Sequence, residues 1–395
     1  MSISRILRPW ASTLIFVFIV LILLLAVNYN SGSRYVLGDE EKAGFLSFLK
    51  KRIKPQSLPD SHWRDALPWD VDPKRFLPNY FTYMDLMEEN DKRIYARSNI
   101  AYVHVPRSAG TTINTCLFTM VQNTKTFDNQ VMLVNEHNIE FAQRDLQGKG
   151  VDQKIVLSGE FAFGACDFMK NRSCSYVLLM RDPYERVISS YAFCQKHDDD
   201  SSDFYCPLRT KGLSVVEWAI IEGSPVFRQL IAHPSNCGDK FENHFDFEKM
   251  IDAPSDILKT GKYPCWMKLK AFIEHQLTAD QILQLAEYVA NNIEYWFAAV
   301  GTLDRIDTLL QTMQDMYYMP LHNICKDVHR ANNSNISNQQ REIYRKELKE
   351  DPRVAEALKE DLLLYARVQE VTILQGRNHY EHFHAGNVVH HKADS

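Results

Sequence analysis

Glycine and proline are scarce, 15 of each in 395 residues. That excludes a collagen-like or low-complexity fibre. An excess of positive charge is also missing: Lys+Arg is 45 against Asp+Glu 50, a formal net charge of −5. The chain therefore lacks the global footprint of a nucleic-acid binder, and an anionic substrate has to be met by a local basic site. No internal repeat of a solenoid or propeller period is visible. The paired C-x-x-C and H-E-x-x-H patterns of zinc sites are absent, and so is the G-x-x-x-x-G-K-[ST] loop of nucleotide triphosphatases. What is present is ordinary for a globular protein, 45% hydrophobic and 24% charged. The length fits about two to three domains, or one large domain with attachments.

One long apolar run exists, from Pro9 to Val27, without a charge. It just spans a hydrocarbon core of about 30 Å. Arg5 and Arg8 precede it, which predicts a cytoplasmic N-terminus. The run is longer than a cleaved signal's apolar region and no A-x-A-like site closes it. The expectation is a type II signal anchor at 9–27 after a cytoplasmic tail of 1–8, with the remainder lumenal. Eight cysteines agree with an oxidising compartment. Cys194–Cys206 and Cys237–Cys265 are the expected pairs, and Cys116, among helix-forming apolar residues, reads as a buried thiol. Sequons at Asn171, Asn332 and Asn335 lie on the same side of the anchor.

Residues 28–95 read as a stem, with scattered prolines. Its aromatics Trp63, Trp69, Phe76 and Tyr80 suggest that its later half packs on something. From 96 to 375 strands alternate with helices. Ile100–Val105 and the apolar run Tyr176–Met180 read as strands, the latter as a buried parallel one. Trp296–Val300 is a third. Helices are expected from Thr111, from Pro183, after the capping box Thr278–Gln281, from Asp304, and from Pro352 through Leu364. Residues 376–395 form a tail with His379, His382, His384, His390 and His391 that reads as disordered. The fold class is α/β, a parallel sheet with helices on both faces.

Two segments carry chemistry. The first is Tyr102–Thr112, YVHVPRSAGTT. A strand enters a tight loop with a basic residue, small residues and hydroxyls, and a helix follows. Backbone N–H groups at such a helix start bind phosphate-like anions. The second is Leu178–Tyr191, LLMRDPYERVISSY. Arg181 ends a buried strand, where open α/β sheets bind ligands. Ser189 lies about two helical turns on and can face the same side. An Arg fork and a hydroxyl together suit a phosphate. Asp182 can cap the helix, and Arg186 reads as solvated.

Together these motifs resemble the 5′-phosphosulfate loop and 3′-phosphate site of sulfotransferases that use 3′-phosphoadenosine 5′-phosphosulfate. The chain looks most similar to the Golgi membrane-bound carbohydrate sulfotransferases. Within these it resembles the heparan sulfate 2-O-sulfotransferase and uronyl 2-sulfotransferase group, with a loop also similar to the 6-O enzymes. The resemblance rests on Arg181–Ser189, on the loop, on His233–Cys237 and on FAAVGTLDRIDTLL after the 296–300 strand. It implies a P-loop-like parallel sheet flanked by helices and preceded by one transmembrane helix. It also implies sulfate transfer to a glycan hydroxyl, a glycosaminoglycan acceptor, the Golgi membrane, and no metal or nucleic acid.

Carried over by this resemblance, Arg107, Ser108, Ala109, Gly110, Thr111 and Thr112 hold the 5′-phosphosulfate, and Arg181 and Ser189 hold the 3′-phosphate. The family usually has Lys where this chain has Arg107. Where the 2-O group has its His base, this chain has Glu160. Glu160 is thus the expected base, His137 the alternative, and His104 a third candidate read as strand-bound. Arg330 is a candidate nucleotide contact, while the mixed charges of 341–360 read as an exposed helix surface rather than an anion site. Two other readings stand beside this one. One is a lumenal binding protein that keeps the fold without catalysis. The other is a P-loop kinase, which the missing Gly-Lys pair disfavours.

Overall fold

The computed structural model describes residues 73, 75–87, 89–124, 127, 131–135, 138–149, 154–169, 174–196, 206, 212–232, 265–326, 328 and 336–382. The chain divides into units Met1–Lys54 and Pro55–Ser395, and all described residues belong to the second. Among them no helix is long and apolar enough to cross a membrane. The 9–27 segment, the three sequons, Cys237, His137, His233 and Arg330 lie outside the described residues.

Among the described residues, five parallel strands form one sheet: β1 Asn99–Val103, β2 Val131–Leu133, β3 Val156–Gly159, β4 Cys174–Met180 and β5 Phe297–Thr302, in the order β2-β3-β1-β4-β5. Strands β1, β4 and β5 fall where the apolar runs place them. The boundary at Trp296 shifts by one residue because that side chain still ends a helix. Side chains alternate across the sheet. Ile100, Tyr102, Val177 and Leu179 enter one core, while Ala101, Val103, Tyr176, Leu178 and Met180 enter the other. Burial on both faces is why β4 reads as one continuous apolar run.

In chain order the helices are α1 Tyr80–Tyr83, α2 Glu89–Arg97, α3 Gly110–Asn123, α4 Ile139–Gly148, α5 Pro183–Lys196, α6 Val215–Glu222 and α7 Pro225–Ile231. After them come α8 Cys265–Gln276, α9 Ala279–Trp296, α10 Ile306–Tyr317, α11 Leu321–Cys325, α12 Asn338–Glu350, α13 Pro352–Ala357 and α14 Lys359–Tyr380. The capping box forms at α9: Thr278 N–H donates to the Gln281 side chain at 2.8 Å, and Gln281 N–H donates back to Thr278 Oγ1 at 3.3 Å. The final helix does not end at Leu364. It breaks at Leu358, whose backbone leaves the helical region, and resumes to Tyr380.

The fold reaches back into the segment read as stem. Phe76 bridges to Cys174 beside β4, and Tyr80, Phe81, Met84 and Tyr95 are buried. Asn79 caps α1 and donates from Nδ2 to Gln375 Oε1 at 3.0 Å, tying this segment to α14. The first turn of the C-terminal tail is equally ordered: His379 pairs with Asp315, and His382 Nε2 lies 3.1 Å from Asp85 Oδ1. These carboxylates on distant elements give the histidines partners, which corrects the reading of a disordered tail at its start.

The Cys194–Cys206 pair is present, with Cα atoms 5.2 Å apart. Cys116 is not a free thiol. It bonds to Cys325, because α11 packs on α3 and brings a residue 209 positions away to a Cα separation of 5.2 Å. Cys166 bonds to Cys174.

Candidate active site

Chain connections leave β1 toward β2 and leave β4 toward β5, so the strand order reverses between β1 and β4. A crevice at the carboxyl ends of the strands is where such sheets bind ligands. Register places the two motifs side by side at these strand ends. Val103 of β1 stands opposite Leu178 of β4, and the chain continues to Arg107 on one side and Arg181 on the other.

The loop after β1 is bent by two non-glycine residues with positive φ, Arg107 at 66° and Ala109 at 60°. This conformation costs an L-residue roughly 1–2 kcal/mol. It persists because the loop is pinned from both ends: Ser108 N–H donates to Val105 O at 3.2 Å, and Ala109 O starts α3 by accepting Ile113 N–H at 3.1 Å. Residues alternating in handedness turn successive N–H groups into a concave anion nest. The first-turn N–H groups of a helix have no acceptor within it, and here they belong to Gly110, Thr111 and Thr112. Ser108 is fully buried and its hydroxyl has no partner among the described residues.

Gly110 has a steric reason. A Cβ there would lie 1.8 Å from the His104 ring. That ring is not held in the strand, which ends at Val103; it packs beneath the loop. Burial, reinforced by the Arg107 charge, lowers the His104 pKa to about 4, so the imidazole is neutral at physiological pH. Gln229 of α7 secures this corner by donating to His104 O at 3.3 Å. Gly110→Ala is therefore expected to destabilise the chain by about 1–3 kcal/mol through overpacking. A melting temperature equal to wild type would contradict this contact.

The two motifs meet. Arg181 Nη1 donates to Arg107 O at 3.2 Å, and Arg107 Nε donates to Ser189 Oγ at 3.3 Å. The Arg107 guanidinium also lies over the Phe193 ring, 4.3 Å from its centroid. Ser189 and Phe193 are one turn apart on α5, so a single helix face grips the loop arginine. A guanidinium can keep this ring contact while its Nε donates to Ser189, which a single ammonium head does less well. Asp182 caps α5 as expected, accepting Glu185 N–H at 3.0 Å. Burial weakens the proton affinity of Arg181, and the neighbouring Arg341 and Arg107 charges act the same way against Glu185.

Glu160 follows β3 directly and is half-buried. Gly159 pairs with Val103, and His104 N–H donates to Gly159 O at 3.0 Å, so Glu160 stands on the same sheet edge as the loop, one strand over.

Arg186 is not solvated. It is 1% exposed and forks onto Glu222 at 2.8 and 3.1 Å, because α6 places that carboxylate against α5. Sequence reasoning also missed Phe193, Gln229 and the ion pair between Arg345 and Glu185. Only Phe193 had a readable signal, its spacing of one turn from Ser189. The others depend on helices brought together from distant parts of the chain.

Taken together, the fold and the site define an α/β protein with two basic, hydroxyl-bearing segments in contact at the switch point of a parallel sheet. A family model described as the sulfotransferase family matches residues 91–365, and the chain belongs to that family. No curated protein matches the chain at a significant level.

Proposed function

We propose that this chain is an O-sulfotransferase that uses 3′-phosphoadenosine 5′-phosphosulfate and modifies a hydroxyl of a glycosaminoglycan, anchored in the Golgi membrane through residues 9–27 with its catalytic unit lumenal. The observation that carries the reading is the contact of the two motifs, Arg181 on Arg107 O and Arg107 on Ser189. One nucleotide with anionic groups at both ends fits a basic group from each motif. The buried Ser108 hydroxyl, without a partner among the described residues, supports an anion at the loop.

When bound, the donor supplies a sulfuryl group on a phosphate leaving group. Arg107 and the first-turn N–H groups of Gly110, Thr111 and Thr112 face the charge that develops on that phosphate as its bond to sulfur breaks, a preorganised electrostatic contribution. Ser108 and Ala109 shape the nest, and Arg181 with Ser189 holds the 3′-phosphate. Glu160 accepts the proton of the acceptor hydroxyl while its oxygen bonds to sulfur. His137 remains the alternative base, and Arg330 an additional nucleotide contact. The scheme requires no metal from the chain.

The test is incubation of the detergent-solubilised full-length chain with labelled donor and heparan, chondroitin or dermatan sulfate, followed by disaccharide analysis. Label on one sugar hydroxyl is the expected result. Donor binding with no label in any glycan would replace the enzyme by a non-catalytic binding protein, and failure to bind the donor would remove both.

A further inference from the structure

Glu185, in the first turn of α5, lies four residues after Arg181, which stands just before that helix, and an i,i+4 spacing lets a carboxylate and an arginine pair. Left alone, that pair would close tightly on the guanidinium; here it is formed but long. Glu185 Oε2 stays 3.5 Å from Arg181 Nη2, at the outer limit of a hydrogen bond. Its other oxygen, Oε1, takes Arg345 instead, at 2.7 Å from Nε and 2.5 Å from Nη2. Arg345 belongs to α12, which docks on α5 through the edge-to-face pair Tyr191 and Tyr344, centroids 5.5 Å apart. Glu342 pairs with the third nitrogen of Arg345 and fixes it from its own helix. The carboxylate is thus held between two arginines, tightly by the distant one and loosely by the one in the cleft. Arg181 makes one contact to Arg107 O and this long one to Glu185, which leaves further N–H donors of its fork unused among the described residues.

We propose that Arg345 is a positioning residue: by gripping Oε1 it keeps the Glu185 carboxylate from closing tightly on Arg181, so that the Arg181 guanidinium is available to the donor's 3′-phosphate. The proposal rests on the donor reading given above. It assigns Arg345 no contact with the nucleotide, and it gives a task to a helix whose mixed charges read from sequence as solvated surface.

The two roles separate in a double-mutant cycle. The full-length chain is titrated with adenosine 3′,5′-bisphosphate and, as control, with adenosine 5′-phosphosulfate, which lacks the 3′-phosphate. Arg345→Ala is expected to weaken the bisphosphate about tenfold and the control less than twofold, because the released Glu185 closes on Arg181. Arg345→Lys should recover most of the loss. Glu185→Gln should tighten the bisphosphate about threefold, and in that background Arg345→Ala should cost less than twofold. Equal losses in both backgrounds would mean that Arg345 touches the phosphate itself, and would overturn the proposal. So would wild-type affinity in Arg345→Ala. Should Arg345→Ala fail to fold, weaker bisphosphate binding by Glu185→Gln alone would overturn it equally. If the wild type does not distinguish the two nucleotides, the placement of the 3′-phosphate at Arg181 fails, and that result is separate from any behaviour of Arg345.

Discussion

Arg107→Ala is expected to reduce sulfate transfer by about 10²–10³-fold, the usual cost of removing one preorganised donor from developing charge, and Arg181→Ala by about 10–10²-fold through lost charge-assisted bonds to the donor. The loss should divide unequally. Arg107 faces the leaving phosphate, so its removal should appear mainly in kcat. Arg181 grips the far end of the nucleotide, so its removal should appear mainly in the KM for the donor. Both side chains are only partly buried and neither sits in a core cluster, so melting temperatures should stay close to wild type. Arg107→Lys restores the residue usual in the family but should not restore full activity. The ammonium keeps the charge, yet as a single point donor it does not reproduce the guanidinium's simultaneous contacts with the Phe193 ring and Ser189. A decrease of roughly tenfold is expected for that variant. Transfer assays with labelled donor check all three, and normal transfer by both alanine variants would sink the assignment of the cleft.

The largest effect on stability belongs to Arg186 and Glu222. Both are almost fully buried, 1% and 3% exposed, and their fork is extended by Ser190, which donates to Glu222 at 2.9 Å and accepts from Trp218 Nε1 at 2.8 Å. Removing one partner leaves an uncompensated charge in a low-dielectric interior. Arg186→Ala or Glu222→Ala should therefore cost about 3–5 kcal/mol. In a domain of this size that lowers the melting temperature by roughly 10 °C. Replacing both by apolar residues of similar volume should recover much of the loss, since the isolated charge is the main penalty. Melting curves decide the matter; single variants as stable as wild type would show that the pair contributes nothing. The effect reaches the cleft, because α5 carries Ser189 and Phe193 as well as Arg186.

The contrast between Arg181 and Arg186 shows what a local pattern can carry. Both lie in R-D-P-Y-E-R, five residues apart and identical in type. One stands at a strand's end and the other inside a helix, and that much is legible, because a run of buried apolar residues followed by Asp-Pro marks a strand passing into a capped helix. Which way a helical arginine points depends on what packs against the helix. Glu222 comes from α6, and nothing in the spacing of the chain announces that α6 will lie there. Cys116 is a similar case. Its helix was evident from composition, whereas its partner Cys325 is placed by the packing of α11 on α3.

Periodicity and capping chemistry are properties of neighbouring residues, so the sequence alone determined the sheet's central strands, the capping box of α9, the loop that opens α3 and the two arginine motifs. Contacts across long separations are set by how helices pack on the sheet. Only the tertiary structure could therefore decide that Ser189 and Phe193 hold Arg107, that Gln229 braces His104, and that Arg345 shares Glu185 with Arg181. The physical reason is that a side chain's neighbours on its own helix repeat with the turn, while its neighbours from other elements follow from which apolar faces each element must bury.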